Sequence, residues 1–143
     1  MNYLLEGLTF VREKLDNPRA WLQHEYAIDM DGRPVEILGP FEDAKMDCLY
    51  LTSPKAWCDN ESNLCAFCLM GAIRLYSAKF EKSWHMKTGM IATHLRAYTP
   101  QGMRLDDFND APETTHIEVL RLLDRAISDL SSGAGRSNAE IEN

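Results

Sequence analysis

The segment from Ser62 to Phe80 constrains the fold most. Wound at about 100° per residue, it puts Cys65, Cys68, Leu69, Ala72 and Tyr76 on one face. Leu64, Phe67, Met70, Ile73 and Leu75 fall on the others. A helix that is apolar almost all round must be covered by the rest of the chain. Residues 62–80 therefore read as a central buried helix. Gly71 inside it costs about 1 kcal/mol against alanine. The expected compensation is another backbone passing close to Gly71-Ala72.

Three further helices are legible around it. Leu4, Leu8, Val11 and Leu15 form one stripe, so a helix runs from Tyr3 to Leu15 or Asp16 and stops at Asn17-Pro18. Ser83 to Tyr98 reads as another, with Gly89 as its weak point. Thr115 and Glu118 make a capping box for the last, whose apolar face is Val119, Leu120, Leu123, Ala126, Ile127 and Leu130. On its opposite face Arg121 and Arg125 have the spacing to pair with Asp124 or Asp129. Tyr26 and Ile28 alternate before Met30-Asp31-Gly32-Arg33, and Val35 and Ile37 alternate after it, which predicts a small hairpin over 25–38. Residues 39–61 are irregular, and a structureless stretch that long is uncommon, so a short helical turn, a strand or a functional loop is expected within it. The fold class is α+β, mainly α: about four helices around the central helix 62–80, with one hairpin at the side. A chain of 143 residues suits a single domain over 1–132, followed by a polar tail over 133–143 that is expected to be disordered.

Charge narrows the function classes. The formal net charge is −7. Such a balance opposes nonspecific binding to nucleic acid or anionic lipid. It is uneven: residues 1–73 and 105–143 each carry a net of −6, whereas 74–104 carry +5. Arg74, Lys82, Lys87 and Arg96, interleaved with Trp84, are a candidate anion site; the plainer reading is that the basic middle lies against acidic neighbours within the fold or is a solvated face. The acidic remainder suits a basic protein partner. No apolar run is long enough for a membrane helix and the first residues lack a signal-peptide pattern, so a cytoplasmic location is expected.

The four cysteines, Cys48, Cys58, Cys65 and Cys68, are then thiols or ligands rather than disulfides. Cys65-Ala66-Phe67-Cys68 has Cys-x-x-Cys spacing, and Cys58, Cys65 and Cys68 are candidate zinc ligands. A zinc site wants a second close pair, which is lacking, so no cofactor is expected. If Ser62 caps the central helix, Cys65 lies near a helix N-terminus, where a thiol is activated. A cysteine hydrolase would combine Cys68 or Cys65 with His116, oriented by Asn109 or Asp110. The plainer reading is that Asn109 and Asp110 hydrogen-bond backbone near the cap of the last helix or the end of the central one, with His116 a satisfied buried group.

The blocks Cys68-Leu69-Met70-Gly71-Ala72-Ile73 and Phe108-Asn109-Asp110, followed by Thr115 and Glu118-Val119-Leu120, resemble a family of short uncharacterised bacterial and phage proteins. Its pattern runs Trp-Cys-x-x-Gly-Ala, then Trp-Asn-Asp and Thr-x-x-Glu-Val. Trp21 and Asp29-Met30-Asp31-Gly32 are similar to its earlier elements. Phe67 and Phe108 stand where the pattern has tryptophan, and Pro18-Arg19-Ala20 replaces a glycine before Trp21. The resemblance implies Cys68, Gly71, Asn109 and Asp110 as pattern positions, a bacterial host cell, and a phage-type accessory role. The leading expectation is a small acidic non-enzymatic protein that binds or inhibits another protein. The alternatives are the cysteine hydrolase and a zinc-stabilised or nucleic-acid-contacting module.

Overall fold

The computed structural model describes residues 2–132; the expected tail over 133–143 lies outside them. Helix α1 spans Tyr3–Lys14, and the Asn2 side chain accepts from the amides of Leu4 and Leu5 at its start. Its stripe delivers Leu8, Val11 and Leu15 to the core with no exposed surface. Pro18 begins a single 3-10 turn, Pro18–Ala20, that redirects the chain.

Strand β1 (Ala27–Asp29) pairs antiparallel with β4 (Leu64–Phe67), while β2 (Val35–Glu36) pairs parallel with β3 (Leu49–Tyr50). The 25–38 hairpin is thereby corrected. Its turn forms: Asp29 takes the amides of Asp31 and Arg33 on one carboxylate oxygen, and Gly32 sits at φ +83°. Beyond the turn only one bridge, Ile28 to Pro34, joins the two arms. Pro34 brings no amide to a ladder, and each arm finds a better partner elsewhere.

The 62–80 helix is corrected too. Residues 64–67 are strand, and helix α3 is Leu69–Ser77. Leu64, Ala66 and Phe67 are buried and Cys65 is exposed, because β1 offers them a hydrogen-bonding edge. A run that is apolar on every face carries no period that separates strand from helix. Cys68 makes the switch. Its backbone is extended, and its sulfur caps the helix by accepting from the Gly71 amide at 3.3 Å. The helix cap is thus Cys68 and not Ser62, and Cys65 lies on the strand.

Within 39–61 lie β3 and helix α2 (Pro54–Asn60), capped by Ser53. The indole of Trp57, fully buried, donates to the Leu51 carbonyl at 3.0 Å. Helix α4 (Trp84–Arg96) runs through Gly89 without a break. Helix α5 (Leu105–Asp110) is short, and α6 (His116–Ser132) starts from the predicted capping box, with Thr115 N–H to Glu118 Oε1 at 3.0 Å and Glu118 N–H to Thr115 Oγ1 at 3.3 Å. The acids of α6 pair outside their own helix: Asp124 with Arg12 of α1, and Asp129 with the Tyr98 hydroxyl. Helix α3 is central, packed against α1, α2, α4 and α5, and α6 closes the far side of α1.

Candidate functional site

Gly71 allows the site to exist. A Cβ there would lie 1.7 Å from the Tyr26 carbonyl oxygen, so only glycine lets residues 21–26 cross the start of α3. The Cys68 amide donates to the same carbonyl at 3.1 Å. Residues 21–26 are thereby held between α3 and α5.

Asn109, 1% exposed, is the clasp. Its Oδ1 accepts from the Trp21 indole at 2.7 Å and from the Leu69 amide at 3.1 Å. Its Nδ2 donates to the Leu22 carbonyl and to Asp110 Oδ1, each at 3.0 Å. The Gln23 amide donates to the carbonyls of Asn109 and Ala111. Asp110 accepts from the His24 amide at 2.8 Å. Asn109 thus serves the first turn of the central helix, and its partners do not include the cap of α6. Trp21, Cys68, Gly71, Asn109 and Asp110, which carried the sequence resemblance, all build this one junction.

Beside it opens a cleft of about 190 Å³ lined by His24, Glu25, Tyr26, Glu36, Cys68, Met70, Asp106 and Asp110. His24 is held at φ +73°, and its ring lies 4.0 Å from Asp110. His24, Glu25, Glu36 and Asp106 were not singled out from sequence; they lie apart along the chain and no local spacing links them. Burial pushes the Cys68 thiol up to about 11, against the opposing pull of the Gly71 and Met70 amides. It is a protonated thiol at neutral pH, and the nucleophile in cysteine chemistry is the thiolate.

His116 is engaged elsewhere. Its Nε2 faces the Leu15 carbonyl at 2.5 Å, so that nitrogen carries the proton, and its ring lies against Trp21. Trp21 therefore contacts both His116 and Asn109. Cys65 is exposed, with its thiol toward the carbonyls of Ile28 and Asp29, and Cys58 is exposed on α2. Among the described residues no group of three or more His, Cys, Asp or Glu side chains converges on a point where a metal ion fits.

The basic candidates divide. Arg74 and Arg96 line a second cleft of about 260 Å³ with Tyr26, Met70, Arg104 and Asp106. Trp84 contributes a ring beside Arg74, 5.9 Å from its guanidinium, and its indole donates to the Arg74 carbonyl. Lys87 lies apart, over the rings of Tyr3 and Phe80, and Lys82 lies in the 3-10 turn that precedes α4. Arg104 joins through tertiary contact only.

Away from both clefts, the loop between β2 and β3 presents apolar side chains to water. Phe41 is 98% exposed and Met46 is 88% exposed. Pro40 and Phe41 are the central residues of a turn closed by the Glu42 amide on the Gly39 carbonyl, and the Glu42 carboxylate accepts the Gly39 amide in return. The Lys45 amide donates to the Tyr50 hydroxyl.

Among the described residues no helix is long and apolar enough to cross a membrane. Comparison with curated proteins and with solved structures gives no match. Residues 5–129 match the family of unknown function DUF6197, and the chain belongs to that family.

Proposed function

We propose that this protein acts by binding another protein, without catalysis, and that the loop over residues 38–47 is its recognition element. The observation that carries this reading is Phe41, an aromatic ring held fully in water at the tip of a doubly closed turn. Burying such a ring in a partner's socket releases its apolar surface from water, and aromatic anchors supply much of the affinity at protein interfaces. The turn is held before binding, so little ordering cost remains. Glu42, Asp43 and Asp47 surround Phe41 and Met46 against Lys45 alone, which fits a basic partner. The net charge of −7 steers the same encounter. Two alternatives have weaker support. The Cys68 thiol stays protonated, and the cysteines do not converge.

Affinity capture from the source cells tests this, with wild type and a Phe41→Ala/Met46→Ala variant side by side. The expected result is a basic protein retained by wild type, lost in the variant, and weakened as ionic strength rises from about 0.1 M to 1 M. Equal retention by both proteins, or retention indifferent to salt, overturns the reading.

A further inference from the structure

The two clefts share Tyr26, Met70 and Asp106, so they are one groove. Its ends have opposite charge. Three arginines and one aspartate line one end; four carboxylates, with no arginine or lysine, line the other.

At the basic end Arg74 lies against two rings, with its guanidinium carbon 5.3 Å from the Tyr26 centroid and 5.9 Å from that of Trp84. Its Nε is shielded from solvent and has no acceptor among the described residues. A buried N–H without a partner is costly and rare in a folded protein. The rings hold the guanidinium in place but accept no in-plane hydrogen bond. Arg96 is anchored through Nε to the Gly102 carbonyl at 2.6 Å, and its charge meets no carboxylate within ion-pair distance among the described residues. Arg104 differs, since Asp106 neutralises it at 3.0 Å. The basic end therefore keeps two fixed, uncompensated guanidinium groups. The planar fork of a guanidinium matches the oxygens of a carboxylate or a phosphate.

At the acidic end Glu25 and Glu36 line the cleft together, and burial followed by the neighbouring Glu36 carboxylate raises the Glu25 carboxyl above the usual range. Lys45 approaches Glu36 at 3.7 Å from outside. An ammonium group placed there would offset the repulsion between these carboxylates.

We propose that the groove binds a small zwitterion, with its oxyanion on Arg74 and Arg96 and its ammonium group toward Glu25, Glu36 and Asp110, across Tyr26 and Met70. This is separate from the exposed loop, and either can stand without the other.

The test is calorimetric titration with matched probes: O-phosphoethanolamine against ethyl phosphate, and β-alanine against propionate. At least one zwitterion is expected to bind roughly tenfold more tightly than its amine-free counterpart, as an added partly desolvated charge pair predicts. The pair that shows this identifies the oxyanion as phosphate or carboxylate. Arg74→Ala should abolish binding, Arg96→Gln should weaken it, and Glu25→Gln should weaken the zwitterion alone. Thermal melts check folding, and Arg96→Gln carries the test if Arg74→Ala does not fold. No binding by any probe up to about 10 mM overturns the proposal. Equal affinity with and without the amine, or wild-type binding by folded Arg74→Ala and Arg96→Gln, does the same.

Discussion

A single amide side chain joins three segments of this protein. Removing it in Asn109→Ala leaves the Trp21 indole N–H, the Leu69 amide and the Leu22 carbonyl without their partner. Buried groups stripped of a partner cost about 1–3 kcal/mol each, although part of that is recovered by relaxation. The expected loss is about 3 kcal/mol, seen in urea unfolding and as a fall in Tm on the order of 10 °C. Full stability would show that the clasp is dispensable. Glu25 offers the opposite sign. Burial first, then the neighbouring Glu36 carboxylate, raises its carboxyl above the usual range, while Lys45 and His24 pull it down. A carboxyl raised by folding holds its proton longer in the native state, so stability falls as pH rises from the unfolded value through the folded one. Glu25→Gln is therefore expected to raise Tm at pH 7 and to leave it unchanged below about pH 4. Melts across pH check this, and a variant less stable at pH 7 contradicts it. The role of Asn109 as a backbone partner was legible from residue type, because amide side chains before a turn bond backbone. Apart from Asp110, its partners were not, because they lie 40 to 88 positions away.

Among the elements, α3 is decided by how it starts. Cys68 caps it, and Gly71 admits the Tyr26 backbone one turn later. Gly71→Ala gains about 1 kcal/mol of helix propensity but pushes a methyl into a carbonyl that two layers of structure hold in place. The net loss is expected to exceed about 4 kcal/mol, with little folded protein by circular dichroism. Gly89→Ala on α4 is the control: its added methyl meets nothing within 4 Å, so it should stabilise by up to about 1 kcal/mol. Similar melts for the two variants would refute the close approach. That approach was readable in the sequence, since glycine inside a buried apolar helix needs a reason. The strand over 64–67 was not readable, because the edge that recruits it belongs to β1, more than thirty residues earlier.

At the scale of the whole molecule, some charges pair within a turn of chain, as Lys55 does with Asp59, and others pair across the fold. Arg12 of α1 reaches Asp124 of α6, and Lys14 reaches Glu61, so cations of the acidic first segment meet carboxylates far along the chain. Arg74 and Arg96 stay outside that pairing and line the groove. Phe41 and Met46 stay outside the core. Because they pack on little, Phe41→Ala/Met46→Ala should change unfolding free energy by less than about 0.5 kcal/mol. A large fall in Tm would assign the loop to stability and remove it as a recognition element.

By itself the sequence determined the features whose signals lie within a few residues. The stripes of α1 and α6, the Thr115–Glu118 box, the Asp29–Gly32 turn and the need for a close backbone at Gly71 are all local consequences of periodicity, capping or missing Cβ. Only the tertiary structure decided whether 64–67 is strand or helix, which partner β1 takes, and that Arg74, Arg96 and Arg104 share a groove with Glu25 and Glu36. Those outcomes depend on which segments meet. Burial of apolar surface drives that meeting, and it is not directional, so no short spacing in the chain records it.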